Sequence, residues 1–180
     1  MIPVVFSCGA AGLALTGCQN LSTNQAGSGK LRPITRHVDL NRFMGDWYVI
    51  AHIPIFLEKD AYNAVESYEL AADGKIPVTF RFNKGSFDEP VKEMFPKGSV
   101  YNKETNAEWR IQFIWPFKSA YLITYLSEDY QTTIIGVPSR KYAWIMARTK
   151  TLPDAKYDAL VEELKRQGHD VSKLRKVPQQ

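Results

Sequence analysis

The residue types that do chemistry are sparse in this chain, and their spacing argues against catalysis. The three histidines, His37, His52 and His169, are scattered and fall in no metal-ligand pattern. No Gly-x-Ser-x-Gly elbow, phosphate-binding glycine loop or dinucleotide fingerprint occurs, and no nucleophile–base pair can be named. The carboxylate that stands out is Glu66. It lies in the alternating run Ala64 to Leu70 and shares a strand face with Ala64, Tyr68 and Leu70. An isolated carboxylate on such a face must be neutral, paired, or near open water, because stripping its hydration is costly. Two roles stay open: contact with a polar or cationic head group of a ligand, or a solvated acid at a rim or beside an arginine. Neither role is catalytic. The expectation is a binding protein, not an enzyme, with no catalytic residue, no metal and no cofactor.

The elements that must position Glu66 are β-strands. A chain of 180 residues suits one domain with a sizeable core. The first strand reads Gly45-Asp46-Trp47-Tyr48-Val49-Ile50-Ala51-His52-Ile53, with Trp47, Val49, Ala51 and Ile53 on one face. The second is Ala64 to Leu70. The turn Asp73-Gly74 joins it to a third, in which Val78, Phe80 and Phe82 share a face. A fourth runs from about Val91 to Tyr101, with Pro96 and Gly98 marking a bend or an edge. The fifth is Glu108 to Trp115, alternating Trp109, Ile111, Phe113 and Trp115 with polar residues. Tyr121 to Leu126, Thr132 to Val137 and Tyr142 to Arg148 complete the set.

Eight consecutive strands without an interposed helix predict an all-β fold, an eight-stranded antiparallel up-and-down β-barrel. Such a barrel has room for side chains or one small ligand. One C-terminal α-helix follows, opened by Pro153 and Asp154 and closed by Gly168. Its stripe of Tyr157, Leu160, Val161 and Leu164 packs it outside the barrel. The net charge of +4 favours an anionic membrane surface or anionic ligand but is too mild for nucleic-acid binding.

Met1 to Gly17 carries no charged residue and ends Leu15-Thr16-Gly17-Cys18, which resembles the lipobox of bacterial lipoproteins. The resemblance implies a signal peptide over residues 1–17 and acylation of Cys18. A flexible linker over 18–36 and a folded domain over 37–180 would follow. Cys8 would leave with the leader, so no disulfide is expected. Gln19 after the cysteine is compatible with sorting to the outer membrane, with the protein lipid-anchored there and facing the periplasm.

Three separated motifs of the folded part are similar to those of the lipocalins: Gly45-x-Trp47, Glu128-Asp129-Tyr130 in place of Thr-Asp-Tyr, and Arg148 at the end of the eighth strand. The likeness spans roughly His37 to Val177 and is closest to the bacterial lipoprotein subgroup, which is apolipoprotein D-like. It implies that Gly45, Trp47 and Arg148 close one end of the barrel, with the guanidinium on the indole face. It also implies a lumen lined by Val49, Ala51, Ile53, Glu66, Tyr68, Phe80, Phe82, Trp109, Phe113, Tyr121, Ile123, Tyr125 and Trp144. The expected partners are fatty acids or lysophospholipids, carried or stored at the bacterial envelope. Alternatives are a tetrapyrrole carrier, a lipid-modifying lipocalin enzyme, or a module that docks a protein partner. Trp115 and Phe117 are expected as exposed aromatics at the open end, gating lipid entry or forming a homodimer contact.

Overall fold

The computed structural model describes residues 29–114 and 116–180. Cys18, the leader before it and Trp115 lie outside the described residues. Nine antiparallel strands follow one another: β1 (Gly45–Ile53), β2 (Ala61–Tyr68), β3 (Lys75–Lys84), β4 (Val91–Met94), β5 (Lys97–Val100), β6 (Glu108–Ile114), β7 (Phe117–Leu126), β8 (Thr132–Gly136) and β9 (Ala143–Ala147). Pairing runs β1-β2-β3-β5-β6-β7-β8-β9 with β4 also on β3, and β9 returns to pair with β1, which closes a barrel. β4 and β5 are two halves of one barrel strand, both paired with β3. Pro96 separates them, since it lacks the N–H that a continuous ladder needs. The barrel is therefore eight-stranded, and a two-residue β10 (Arg175–Lys176) adds to β1 outside it.

Two apolar clusters divide the molecule. One fills the barrel interior and includes Trp47, Tyr68, Phe80, Trp109, Ile123 and Trp144. The other lies between the barrel wall and the main helix, α2 (Asp154–Arg166), where Leu160 and Leu164 pack on Ile50, Ile134 and Ile145. Basic residues in the last turn of α2 complement its dipole, and Asp154 does so in the first.

Register shifts interrupt alternation in β1, β2, β6 and β7, and those in β1 and β7 change the expected lining. In β1 the register with β9 shifts between Val49 and Ala51, a β-bulge that inserts one residue. Beyond it every side chain changes face. Ala51 and Ile53 therefore pack in the outer cluster under α2, not in the lumen, and His52 takes the inward position opposite Trp144. A second shift, between Ile123 and Tyr125 in β7, leaves Ile123 inside and turns Tyr125 to the outer cluster. Leu70 also leaves the expected lining, because β2 ends at Tyr68 and Leu70 is exposed.

Residues 31–36, read from the sequence as linker, are instead pinned to the barrel. Leu31 N–H donates to the Pro138 carbonyl at 3.0 Å and Ile34 N–H to the Ile123 carbonyl at 2.9 Å. Arg36 donates to the Leu126 carbonyl at 2.5 Å. The chain then turns under one end of the barrel through the short helix α1 (Leu40–Phe43), capped by the Asp39 carboxylate.

Candidate functional site

The end beneath which α1 lies is sealed. Gly45 enters β1 at φ +91°, a conformation that disfavours a side chain, and a Cβ there would lie 3.5 Å from Arg148 Nη1. That distance is ordinary contact, so the φ and not crowding favours glycine there; the Arg148 guanidinium lies 3.8 Å from the centre of the Trp47 ring. Its Nη2 donates to the carbonyls of Arg42, Phe43 and Met44 at 2.8, 2.9 and 2.9 Å, and its Nη1 to that of Asp46 at 2.8 Å. Partial burial lowers its pKa to about 10, so it stays charged at neutral pH. Trp47 Nε1 donates to the Phe43 carbonyl, and Phe43 packs edge-on against Tyr68 and Trp109.

The Glu128-Asp129-Tyr130 turn completes this floor. Tyr130, at φ +60°, accepts a hydrogen bond from the Asp39 N–H through its hydroxyl, and the Arg42 guanidinium lies 3.9 Å from its ring centre. The Ser127 hydroxyl donates to Asp129 at 2.5 Å. That bond is the largest of the causes that hold the Asp129 carboxyl below its usual range.

Above the floor sits the polar centre of the lumen. Glu66 lies opposite Trp47 on β1 and Phe80 on β3, 3% exposed. It is neither at a rim nor paired with an arginine. Instead the Tyr68 hydroxyl donates to its Oε2, and the single proton of the Tyr121 hydroxyl is shared between that oxygen, 3.1 Å away, and the adjoining Tyr68 hydroxyl. Burial, aided by the nearby charge of Glu58, raises the Glu66 pKa to about 7, against the lowering effect of the tyrosine bonds. Burial and the neighbouring carboxylate push Tyr68 and Tyr121 well above their ordinary value, so both remain neutral donors.

Toward the open end, the loop between β1 and β2 folds inward. Glu58, in a single 3₁₀ turn (Phe56–Glu58), is 1% exposed and accepts from Trp144 Nε1 at 2.7 Å. His52 Nδ1 lies 3.6 Å from the same oxygen. Sequence reasoning missed both residues. His52 was hidden by the β1 bulge, and nothing in the run Pro54 to Asp60 signals that its glutamate turns inward. Glu58→Ala leaves a buried indole N–H without its acceptor. A destabilisation of about 1–2 kcal/mol is expected, with faster amide exchange confined to residues 54–60. Exchange unchanged in that loop would mean that Glu58 does not hold it.

A lipocalin-like domain matches residues 38–179. The chain belongs to the lipocalins. It is 34% identical to temperature-induced lipocalin-1 of Arabidopsis thaliana, over 81% of this chain and 82% of that protein. It is 31% identical to the outer membrane lipoprotein Blc of Citrobacter freundii, over 78% and 79%. Apolipoprotein D of Macaca fascicularis is 30% identical over 79% and 77%. Among solved structures, insecticyanin from the tobacco hornworm Manduca sexta shares the fold, with a TM-score of 0.64 at 18% identity over 82% of this chain and 83% of that one.

In this lipocalin the barrel interior brings together Val49, Glu66, Tyr68, Phe80, Phe82, Trp109, Tyr121, Ile123 and Trp144, with Phe113 packed against them partly buried. The histidines do not converge. His37 sits by the floor near the Glu104 carbonyl, His52 is inside, and His169 is outside, held by the Arg140 carbonyl. Among the described residues no group of three or more His, Cys, Asp or Glu side chains could hold a metal ion. None of their helices is long and apolar enough to cross a membrane.

Proposed function

We propose that this lipocalin is a lipid carrier of the bacterial envelope that binds fatty acids or lysophospholipids in its barrel and transforms nothing. The observation that carries the reading is a lumen with apolar and aromatic walls around two buried polar groups, Glu66–Tyr68–Tyr121 and Glu58–His52–Trp144. The walls suit an acyl chain, whose burial contributes about 0.8 kcal/mol per CH₂. The polar groups give a head group something to meet. The Glu58 charge that helps to raise the Glu66 pKa also disfavours a fatty-acid anion, so a lysophospholipid is expected to bind more tightly. Acylation of Cys18 would hold the carrier at the membrane, as the name of the Blc relatives, outer membrane lipoprotein, supports.

Trp109 and Trp144 line the lumen, so intrinsic fluorescence reports on occupancy. Titration of delipidated protein with lysophosphatidylcholine and with palmitate is expected to give saturable one-to-one quenching, tighter for the former. No response to either, from protein with an intact thermal transition, would reject the lipid-carrier reading.

A further inference from the structure

The described chain begins at the open end of the barrel. The Gly29 carbonyl accepts from Arg140 Nη1 at 2.7 Å, in the turn between β8 and β9, and Leu31 is tied to Pro138 in the same turn. From there residues 31–38 descend along the barrel to α1 at the sealed end. Only ten residues lie between Cys18 and Gly29. A chain of that length spans at most about 35 Å.

Beside the turn between β8 and β9 is a groove of about 560 Å³ on the outside of the mouth, bordered by Lys59, Arg140, Lys141, Lys173 and Arg175. Its one acid, Asp170, is ion-paired with Lys173 at 2.9 Å. Lys59, Lys141 and Arg175 are exposed and form no ion pair among the described residues. The apolar part of the groove ends in Phe56, which is 87% exposed. Phe117, at the β6–β7 turn of the same end, is 75% exposed. The sealed end is mixed in charge, with Asp39, Asp46, Glu128 and Asp129 beside Arg42, Arg148, Lys75 and Lys103 around its loops.

We infer that the open end docks on an anionic phospholipid surface, with the groove cations at the head groups and Phe56 and Phe117 at the acyl boundary. The barrel mouth then faces the bilayer. A cation near an anionic membrane surface raises binding on the order of fivefold, so three unpaired cations suffice for a preference of tenfold or more. Exposed aromatics at the same edge would add apolar burial that salt does not screen. Docking in this manner requires no ligand in the lumen, so it is testable apart from the lipid-carrier reading.

The test uses the full chain with Cys18→Ser, which cannot be acylated, sedimented with vesicles. One set is phosphatidylcholine alone, and the other contains phosphatidylglycerol as well. The expected result is at least ~tenfold stronger partition onto the anionic vesicles, declining as salt rises. The combined reversal Lys59→Glu, Lys141→Glu and Arg175→Glu should abolish that preference. The matched reversal Lys75→Glu, Lys103→Glu and Lys150→Glu, at the sealed end, should retain it. Equal partition onto both vesicle types would overturn the proposal. So would a preference that survives the groove reversal, or one lost equally in both triple variants, which would reduce it to net charge. All six positions are exposed, and a thermal melt of each variant reports that the fold is intact.

Discussion

Arg148→Ala is expected to lower the melting temperature by roughly 10 °C while changing lipid affinity by less than about threefold. The guanidinium binds the carbonyls of Arg42, Phe43, Met44 and Asp46 at the end of α1 and the start of β1. Of that set only the Phe43 carbonyl is reached by another described side chain, through Trp47 Nε1. Removing it deletes charge-assisted hydrogen bonds of about 1.5–3 kcal/mol each, partly recovered by water, and the contact with the Trp47 face. A net loss of about 3–4 kcal/mol corresponds to that shift in a domain of this size. Arg148 lies below Trp47, so the lumen above keeps its lining. Arg148→Lys should recover part of the loss, because an ammonium reaches fewer carbonyls and cannot lie flat on the indole. Calorimetry set beside ligand titration checks this. If affinity falls while the melting temperature holds, Arg148 belongs to the binding site and not to the floor.

The parts of this architecture that follow from period-two alternation and from turn residues were legible in the sequence. The Asp73-Gly74 hairpin, the interrupted strand at Pro96 and the outer stripe of α2 all appear where the residues place them. The floor was legible for another reason: the resemblance of Gly45-x-Trp47 and Arg148 to the lipocalin motifs implied it, where strand alternation alone did not. The lumen lining was legible only between irregularities. One inserted residue in β1 exchanges Ala51 and Ile53 for His52, and another in β7 removes Tyr125. A bulge has no residue type that demands it here. Ile50 and Ala51 fit either face, and the choice is made by α2 packing on them, a contact distant in sequence. Glu58 was invisible for a related reason. A glutamate in an open-end loop is ordinarily solvated, and its partner, Trp144, is 86 residues away. The polar floor of the mouth is thus a tertiary feature, whereas the barrel is a local one.

Glu66 makes stability depend on pH in the direction opposite to that of a salt-bridged acid. Its native pKa, about 7, lies above the value of 4.5 expected in the unfolded chain. Below pH 4.5 both states hold the proton and the group contributes no pH dependence. Between 4.5 and about 7 the unfolded chain releases the proton while the native protein keeps it, so stability falls as pH rises. The accumulated loss above pH 7 is about 3 kcal/mol, at 1.36 kcal/mol per unit. Glu66→Gln removes the titration but keeps the shape, and its amide oxygen can still accept from Tyr68 or Tyr121. Its amide hydrogens find hydroxyls already committed to one another, at a pH-independent cost of about 1 kcal/mol. The curves for the two proteins should therefore cross. The variant is expected to be slightly less stable below pH 4.5 and more stable, by about 2 kcal/mol, above pH 7. Urea unfolding across that interval reads both limbs. Parallel curves would mean that Glu66 ionises as readily in the barrel as in the unfolded chain, and that the polar centre of the lumen is open to water.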